Sequence, residues 1–109
     1  MISWDDFEKL DIRAGTVTDV QDFPEARNPS WKVWIDFGEL GIKKSSAQLT
    51  AFYTKADLLN KQVIAVVNFP PKQIGPFISE CLILGVYGEN KTVTLLVPER
   101  EVSNGSKIG

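Results

Sequence analysis

The chain has 109 residues, a length typical of one domain, and its content of 43% hydrophobic and 24% charged residues is that of a folded globular protein. Its formal net charge of −2 excludes binding to nucleic acid by overall charge, because such binding requires Lys and Arg to neutralise phosphates, so any nucleic-acid site must be a local patch. The absence of histidine and the single cysteine, Cys81, exclude imidazole catalysis and Cys/His metal sites within one chain, and we expect no catalytic residue, metal or cofactor.

The sequence also indicates the cellular compartment of the protein. Its apolar runs are shorter than the roughly 18–20 residues that cross a bilayer, so no membrane span is expected. The N-terminal segment has Asp5 and Asp6 where a secretory signal requires basic residues and an apolar run, and one cysteine cannot form an internal disulfide. These features predict a cytoplasmic protein.

The first predicted element is a short N-terminal helix. Ser3 followed by Asp6 resembles a capping box, and Trp4, Phe7 and Leu10 fall at helical spacing. This apolar stripe has two interpretations. It covers an open end of the domain, or it forms a dimer contact together with the C-terminal tail, since so small a domain has little core left to fill.

Two strands are predicted next, separated by a loop over residues 23–30. Residues 11–20 suit a strand bent by a bulge or coil at Gly15. Residues 31–37 alternate apolar and polar, which predicts a strand with one buried face. Trp31 and Trp34 then point to opposite faces, so we expect Trp34 to lie outward, where it would stack on a base or pack against a partner subunit.

The remaining elements complete a small barrel. A turn at 38–41 leads to a polar strand over 42–46, and residues 47–60 favour one or two helical turns. Further strands are predicted at 63–67, 79–84 and 92–97, with a hairpin turn at 88–91. This order predicts one all-β domain over 1–109, a five-stranded Greek-key OB-fold barrel with short helices at the N-terminus and between strands three and four. Its binding loops would follow strands one and four.

A double-proline corner joins two of these strands. Pro70 and Pro71 fix the backbone and remove two donors, so the ladder stops and the neighbouring polar residues lie at a rigid strand end. Lys72 supplies a charge there, while Asn68 and Ser79 supply hydrogen-bonding groups. Asn68 and Ser79 either read a base or ribose edge or cap the strand ends.

Several short motifs, in this order, resemble those of a known family. They are residues 10–15 (LDIRAG), 23–26 (FPEA), 42–48 (IKKSSAQ), 68–72 (NFPPK), 79–80 (SE) and 104–109 (NGSKIG). The chain is similar to the tRNA-binding domain appended to some methionyl- and phenylalanyl-tRNA synthetases, and within that family to the short, free-standing CsaA type. The resemblance covers nearly the whole chain. It implies an OB barrel, a homodimer, binding of tRNA without enzymatic activity, and a chaperone-like role with unfolded preproteins and the export machinery.

The resemblance also implies which residues contact RNA. By match to the family pattern these are Arg13, Ser46, Asn68, Lys72 and Ser79, with Lys43 and Lys44 beside them. The family's basic corner often carries two or more cations and this chain has one, so weaker RNA binding is implied.

Two functions from different classes follow. The first is a tRNA-binding module that reads folded RNA through phosphate contacts and some base stacking. The second is a dimeric chaperone-like protein that holds extended segments of unfolded preproteins, with Trp34, Phe69 and Phe77 as the apolar contacts and Trp4, Phe7 and Leu10 as the dimer interface. The polar hairpin and the corner from Asn68 to Lys72 support the first, which is the main prediction. The acidic net charge, the single corner cation and the resemblance to the CsaA type support the second, which is the alternative.

Overall fold

Strands make up most of the regular secondary structure in this computed structural model, which describes residues 1–109. The elements in chain order are α1 (Trp4–Glu8), β1 (Ile12–Asp22), β2 (Trp31–Asp36), β3 (Ile42–Ala47), α2 (Lys55–Leu58), β4 (Gln62–Val66), β5 (Lys72–Ile74), β6 (Phe77–Ser79), β7 (Leu82–Ile83), β8 (Gly85–Tyr87) and β9 (Val93–Leu95). Five strands form one antiparallel sheet in the order β3-β2-β1-β4-β7, and β5–β6 and β8–β9 are separate hairpins. The predicted all-β class with two short helices is confirmed.

Strand β1 belongs to both halves of the sheet. Its first half pairs with β4 and its second half with β2, and Thr16 has a partner on each side. The register with β2 shifts between Val17 and Asp19, so the predicted irregularity at Gly15 is wrong in position. Because one strand serves two neighbours that diverge, it must curve, and this curvature brings the sheet toward closure.

Gly15 is needed for close packing. A Cβ atom at this position would lie 2.6 Å from Cγ2 of Ile35 and 2.7 Å from Cδ1 of Phe37, both of which are fully buried. Real Cβ atoms do not approach other carbon atoms this closely, so a side chain here would displace the centre of the core. The glycine therefore leaves room for the buried side chains of Ile35 and Phe37 against the backbone of β1.

The core follows the predicted alternation of β2. Val33, Ile35 and Phe37 have no solvent exposure and join side chains from β1, β3, β4 and β9 in the main cluster. Trp31 packs at the edge of this cluster and donates its indole N–H to the carbonyl of Tyr53. The predicted helical turn between strands three and four is α2, and its Leu58 is fully buried in the same core.

The barrel closes along a seam between β3 and residues 79–81. The amide of Glu80 donates to the carbonyl of Lys44 at 2.8 Å, and the amide of Lys44 donates to Oε1 of Glu80 at 3.1 Å. Ser45 donates its hydroxyl to the carbonyl of Cys81 at 2.9 Å. The predicted single strand over 79–84 is therefore interrupted, because Glu80 and Cys81 pair with β3 rather than continuing the ladder between β4 and β7.

The two ends of the chain lie on the outer surface of β1. The predicted capping box of α1 is confirmed, with Ser3 and Asp6 exchanging both hydrogen bonds. Phe7 packs on a small second cluster beneath the helix, whereas Trp4 is 83% exposed and Leu10 is also exposed.

Neither helix is long and apolar enough to span a membrane.

Candidate nucleic-acid interface

A groove of about 700 Å³ lies between the loop that joins β1 to β2, the end of β3 and the β5–β6 hairpin. These are the regions where small Greek-key barrels bind oligonucleotides, namely the loops after strands one and four and the face of strands two and three. The groove lining includes two cations, three side-chain amides and one exposed ring, which are Arg27, Lys72, Asn28, Gln48, Gln73 and Phe69. These groups suit phosphates and bases better than acid–base chemistry.

The β5–β6 hairpin is fixed onto the outer face of β2 and β3 by Phe77. Its ring is buried, with Trp34 edge-on at 5.9 Å and Phe23 tilted at 5.4 Å between ring centroids. The ammonium groups of Lys32 and Lys44 lie 5.7 and 5.1 Å from its centroid. Such cation–π contacts contribute about 0.5–2 kcal/mol each and hold both amines over the ring.

Four cations near the groove have no carboxylate within ion-pair distance. They are Arg27, Lys32, Lys44 and Lys72, whereas the ion pairs of the chain involve Lys9, Arg13, Lys55 and Arg100. An unpaired cation keeps its charge available for a phosphate. A local cationic patch therefore exists on a chain whose net charge is −2.

Arg13 lies outside this groove and has partners within the protein. Its Nε is 2.6 Å from Oδ1 of Asp11, and its Nη1 donates to the carbonyl of Gly105 at 3.0 Å. The hydrogen bond from Arg13 lowers the pKa of the Asp11 carboxyl and raises that of the guanidinium. The side chain thus ties the C-terminal tail to β1.

The two neighbouring lysines of β3 do not act as a pair. Lys44 lies opposite Trp34, on the outer face that carries Phe77, whereas Lys43 lies opposite Ile35, whose side chain is in the core. Alternation along a strand therefore directs Lys43 away from the groove. Only Lys44 belongs to the cationic patch.

Asn68 also makes its contacts within the protein. Its Oδ1 accepts from the amide of Asp11 at 2.9 Å, and its Nδ2 donates to the carbonyl of Lys9 at 2.8 Å. The side chain thus pairs like one more residue of the β1–β4 ladder and fixes the start of the proline corner. This geometry corresponds to the strand-end capping interpretation of Asn68.

Replacing Asn68 by Ala is expected to lower the free energy of unfolding by about 1–2 kcal/mol, because two backbone groups lose their partners at a partly solvated position. The amide of Asp11 should then exchange its hydrogen faster, which proton exchange followed by NMR measures. Gln48→Ala, which removes an exposed amide without a hydrogen-bond partner in the protein, is the control. Unchanged protection of the Asp11 amide would contradict this role.

Ser79 and Ser46 meet at the end of the seam and both line the groove. The Ser79 hydroxyl accepts from the amide of Ser46 at 3.1 Å and donates to the carbonyl of Cys81 at 3.4 Å, so its donor and one acceptor position are used within the protein. The Ser46 hydroxyl has no partner in the protein and remains available to a ligand. Cys81, at the same seam, is buried, and burial raises the pKa of its thiol to about 12, so it stays protonated and unreactive.

The three aromatic residues assigned to peptide binding differ in accessibility. Phe69 lines the groove and is 47% exposed. Phe77 is only 6% exposed and Trp34 is half-buried against it, so a ligand finds little free ring surface on either. Trp34 lies on the outward face of β2, as expected, but Phe77 packs against its ring and covers it.

Arg27, Lys32 and Gln48 were not identified as candidate site residues from the sequence. Arg27 lies in the loop after strand one, which the fold assignment already marks as a binding loop. Lys32 shares a strand face with Trp34, a basic and aromatic alternation that is typical of nucleic-acid surfaces. Gln48 follows the last residue of β3 and carries no comparable signal.

Comparison with known proteins shows the family of the chain. The family model described as "Putative tRNA binding domain" matches residues 12–107. The methionine–tRNA ligases of Thermococcus onnurineus and Leptospira biflexa are 36% and 35% identical over 107 residues, which is 98% of this chain but only 14–15% of each ligase. The chain therefore spans a small part of these curated relatives.

Two solved structures match over the full length. The chaperone CsaA of Bacillus anthracis is 51% identical with a TM-score of 0.96, and the alignment covers 100% of this chain and 99% of that one. The CsaA chaperone protein of Picrophilus torridus is 50% identical with a TM-score of 0.93, with both chains fully covered. The barrel and the family match agree, and the chain belongs to the tRNA-binding-domain family, with CsaA chaperones among its structural neighbours.

Proposed function

We propose that this protein is a non-enzymatic, CsaA-type tRNA-binding protein that acts in the cytoplasm. The observation that carries the proposal is a group of four unpaired cations. Arg27 and Lys72 line the groove, and Lys32 and Lys44 lie beside it, over the ring of Phe77. Proteins that bind RNA through phosphates need such free cations, and a chain with net charge −2 must concentrate them in one place. Membership of the tRNA-binding-domain family supports tRNA as the ligand.

The test is binding of tRNA by fluorescence anisotropy over a salt series, with an unfolded polypeptide as competitor. If four cations contact phosphates, the logarithm of the association constant should fall with the logarithm of salt concentration with a slope of roughly −2.8 to −3.6. Binding that does not depend on salt, or no binding of tRNA at moderate salt, would contradict the proposal.

A second candidate function is holding extended segments of unfolded preproteins. It is supported by a second, apolar groove of about 510 Å³ between residues 47–49 and 82–85. This groove adjoins the first one and shares Ser46, Gln48 and Leu82 with it. Leu82 and Tyr87 line it and are exposed, as required of a surface that takes apolar side chains. If the protein captures the polypeptide without releasing tRNA, the two ligands bind in separate grooves. A role with the export machinery would depend on this binding of unfolded polypeptide.

A homodimer is part of the proposal. Trp4 and Leu10 are exposed beside the partly buried Phe7, and an apolar stripe of this kind is stabilised when a second copy covers it. Sedimentation should therefore detect dimers at micromolar protein, and Trp4→Ser should shift the equilibrium toward monomer. Sedimentation as a monomer at that concentration would remove this part of the proposal.

A further inference from the structure

We propose that the groove binds one unpaired nucleotide of an RNA, with its base against Phe69 and its flanking phosphates at Arg27 and Lys72, and that it does not bind double helix. The inference rests on the proposed function for the nature of the ligand, and it names the structural class of RNA that the site accepts. An unpaired nucleotide occurs in a loop or at a chain end, and the two sources share this chemistry.

The size and shape of the groove carry the first step. Its volume of about 700 Å³ is within the range of roughly 300–1,000 Å³ that encloses one small ligand. The two loops that form its walls meet at Glu25 and Gly75, where a Cβ atom on the glycine would lie 3.8 Å from the Glu25 carbonyl oxygen. A-form RNA is recognised across its wide, shallow minor groove, so a duplex would contact only the rim.

The aromatic side chains carry the second step. The rings of Phe23, Phe77 and Trp34 pack on one another or beneath lysine ammonium groups, so their faces are occupied. Phe69 contacts none of these rings, lines the groove and is 47% exposed. Stacking on an aromatic ring requires a base that has left its own stack, which is a property of unpaired nucleotides.

The amides of the groove carry the third step. Asn28 and Gln48 each offer donors and an acceptor that no other group of the protein uses, and these match the hydrogen-bonding edges of a base. Gln73 donates one N–H to the carbonyl of Gly75 at 3.2 Å and keeps its second N–H and its oxygen. In a duplex the Watson–Crick edges are already paired, so these amides would have no partners there. Arg27 and Lys72 come from the two opposing walls, as two phosphates on either side of one nucleotide require.

The experiment uses the full chain and three fluorescein-labelled RNAs of equal phosphate number. They are a blunt duplex, a duplex with a short 3′ overhang, and a hairpin with an unpaired loop. Anisotropy at one fixed ionic strength should give at least about tenfold tighter binding of the overhang or of the loop than of the blunt duplex. The tighter of the two identifies the source of the nucleotide.

Variants test whether Phe69 is responsible for the preference for unpaired RNA. Phe69→Ala and Phe69→Leu should each reduce binding of the unpaired RNA by about tenfold and leave binding of the blunt duplex unchanged, because both remove the aromatic ring. Leu keeps an apolar side chain at this position, so a loss in both variants is due to the ring and not to apolar surface. Phe52→Ala is the matched control, since Phe52 is 56% exposed and lies outside the groove.

Each result bears on the inference separately from the proposed function. Equal binding of all three RNAs, or equal losses on duplex and unpaired RNA in the Phe69 variants, would overturn the inference even if tRNA binds. Preference for unpaired RNA that depends on Phe69, without binding of tRNA, would support the inference and contradict the proposed function. Absence of binding to every RNA would overturn both.

Discussion

Replacement of Phe77 by Ala is expected to lower the free energy of unfolding by about 3–5 kcal/mol, the usual range for a buried phenylalanine. The ring is 6% exposed and is the main apolar contact between the β5–β6 hairpin and the outer face of β2. Its loss would leave a cavity against Trp34 and would remove the surface over which Lys32 and Lys44 lie. Chemical denaturation followed by tryptophan fluorescence measures the change.

The same variant should also weaken tRNA binding, because the hairpin that carries Lys72 would no longer be held against the barrel. Phe52→Ala is the control for the loss of a phenylalanine from an exposed position, and its effect on stability should stay within about 0.5 kcal/mol. If Phe77→Ala cost no more than Phe52→Ala, the docking of the hairpin by this ring would be disproved.

Replacement of Arg27 and Lys72 together by Gln is expected to reduce tRNA affinity by about 10- to 100-fold at low salt. Each phosphate contact contributes roughly 0.7–0.9 to the slope of log K against log salt, so the slope should become shallower by about 1.4–1.8. Both side chains line the groove, from its two walls, and neither forms an ion pair that folding depends on. Stability should therefore change little.

The matched control is Lys61→Gln with Arg100→Gln, which changes the net charge equally. These two residues line a different surface, near the C-terminal segment. If affinity depends only on overall charge, both double variants should lose it equally. That outcome would disprove a localised RNA site, whereas retention of the wild-type slope in the control would support it.

The fold could be predicted because its signals are local. Alternation over residues 31–37 marks the buried face of β2, and the capping box marks the start of α1. The β5–β6 hairpin was not predicted. Its strands have three residues each, and their pairing depends on the docking of Phe77 on β2 and β3, a contact between segments distant in sequence.

The candidate site was only partly predictable. Four residues named from the sequence do line the groove, namely Ser46, Phe69, Lys72 and Ser79. Asn68 and Arg13 were assigned to RNA because each carries a suitable polar group, yet both have their partners elsewhere in the protein. A side chain's chemistry is visible in the sequence, whereas the partners that already satisfy it are not.

The sequence by itself determined the class of fold, the family and the exclusion of histidine-based chemistry, because these depend on periodicity, on ordered motifs and on composition. Only the tertiary structure decided which cations are free. Arg13 donates to the carbonyl of Gly105, 92 positions away in the chain, as well as to Asp11. Lys43 faces the core side of β3, and Arg27 lies across the groove from Lys72 although the two are far apart in the chain. The physical reason is that a charge is available to a ligand only when no neighbour compensates it, and those neighbours are set by long-range packing.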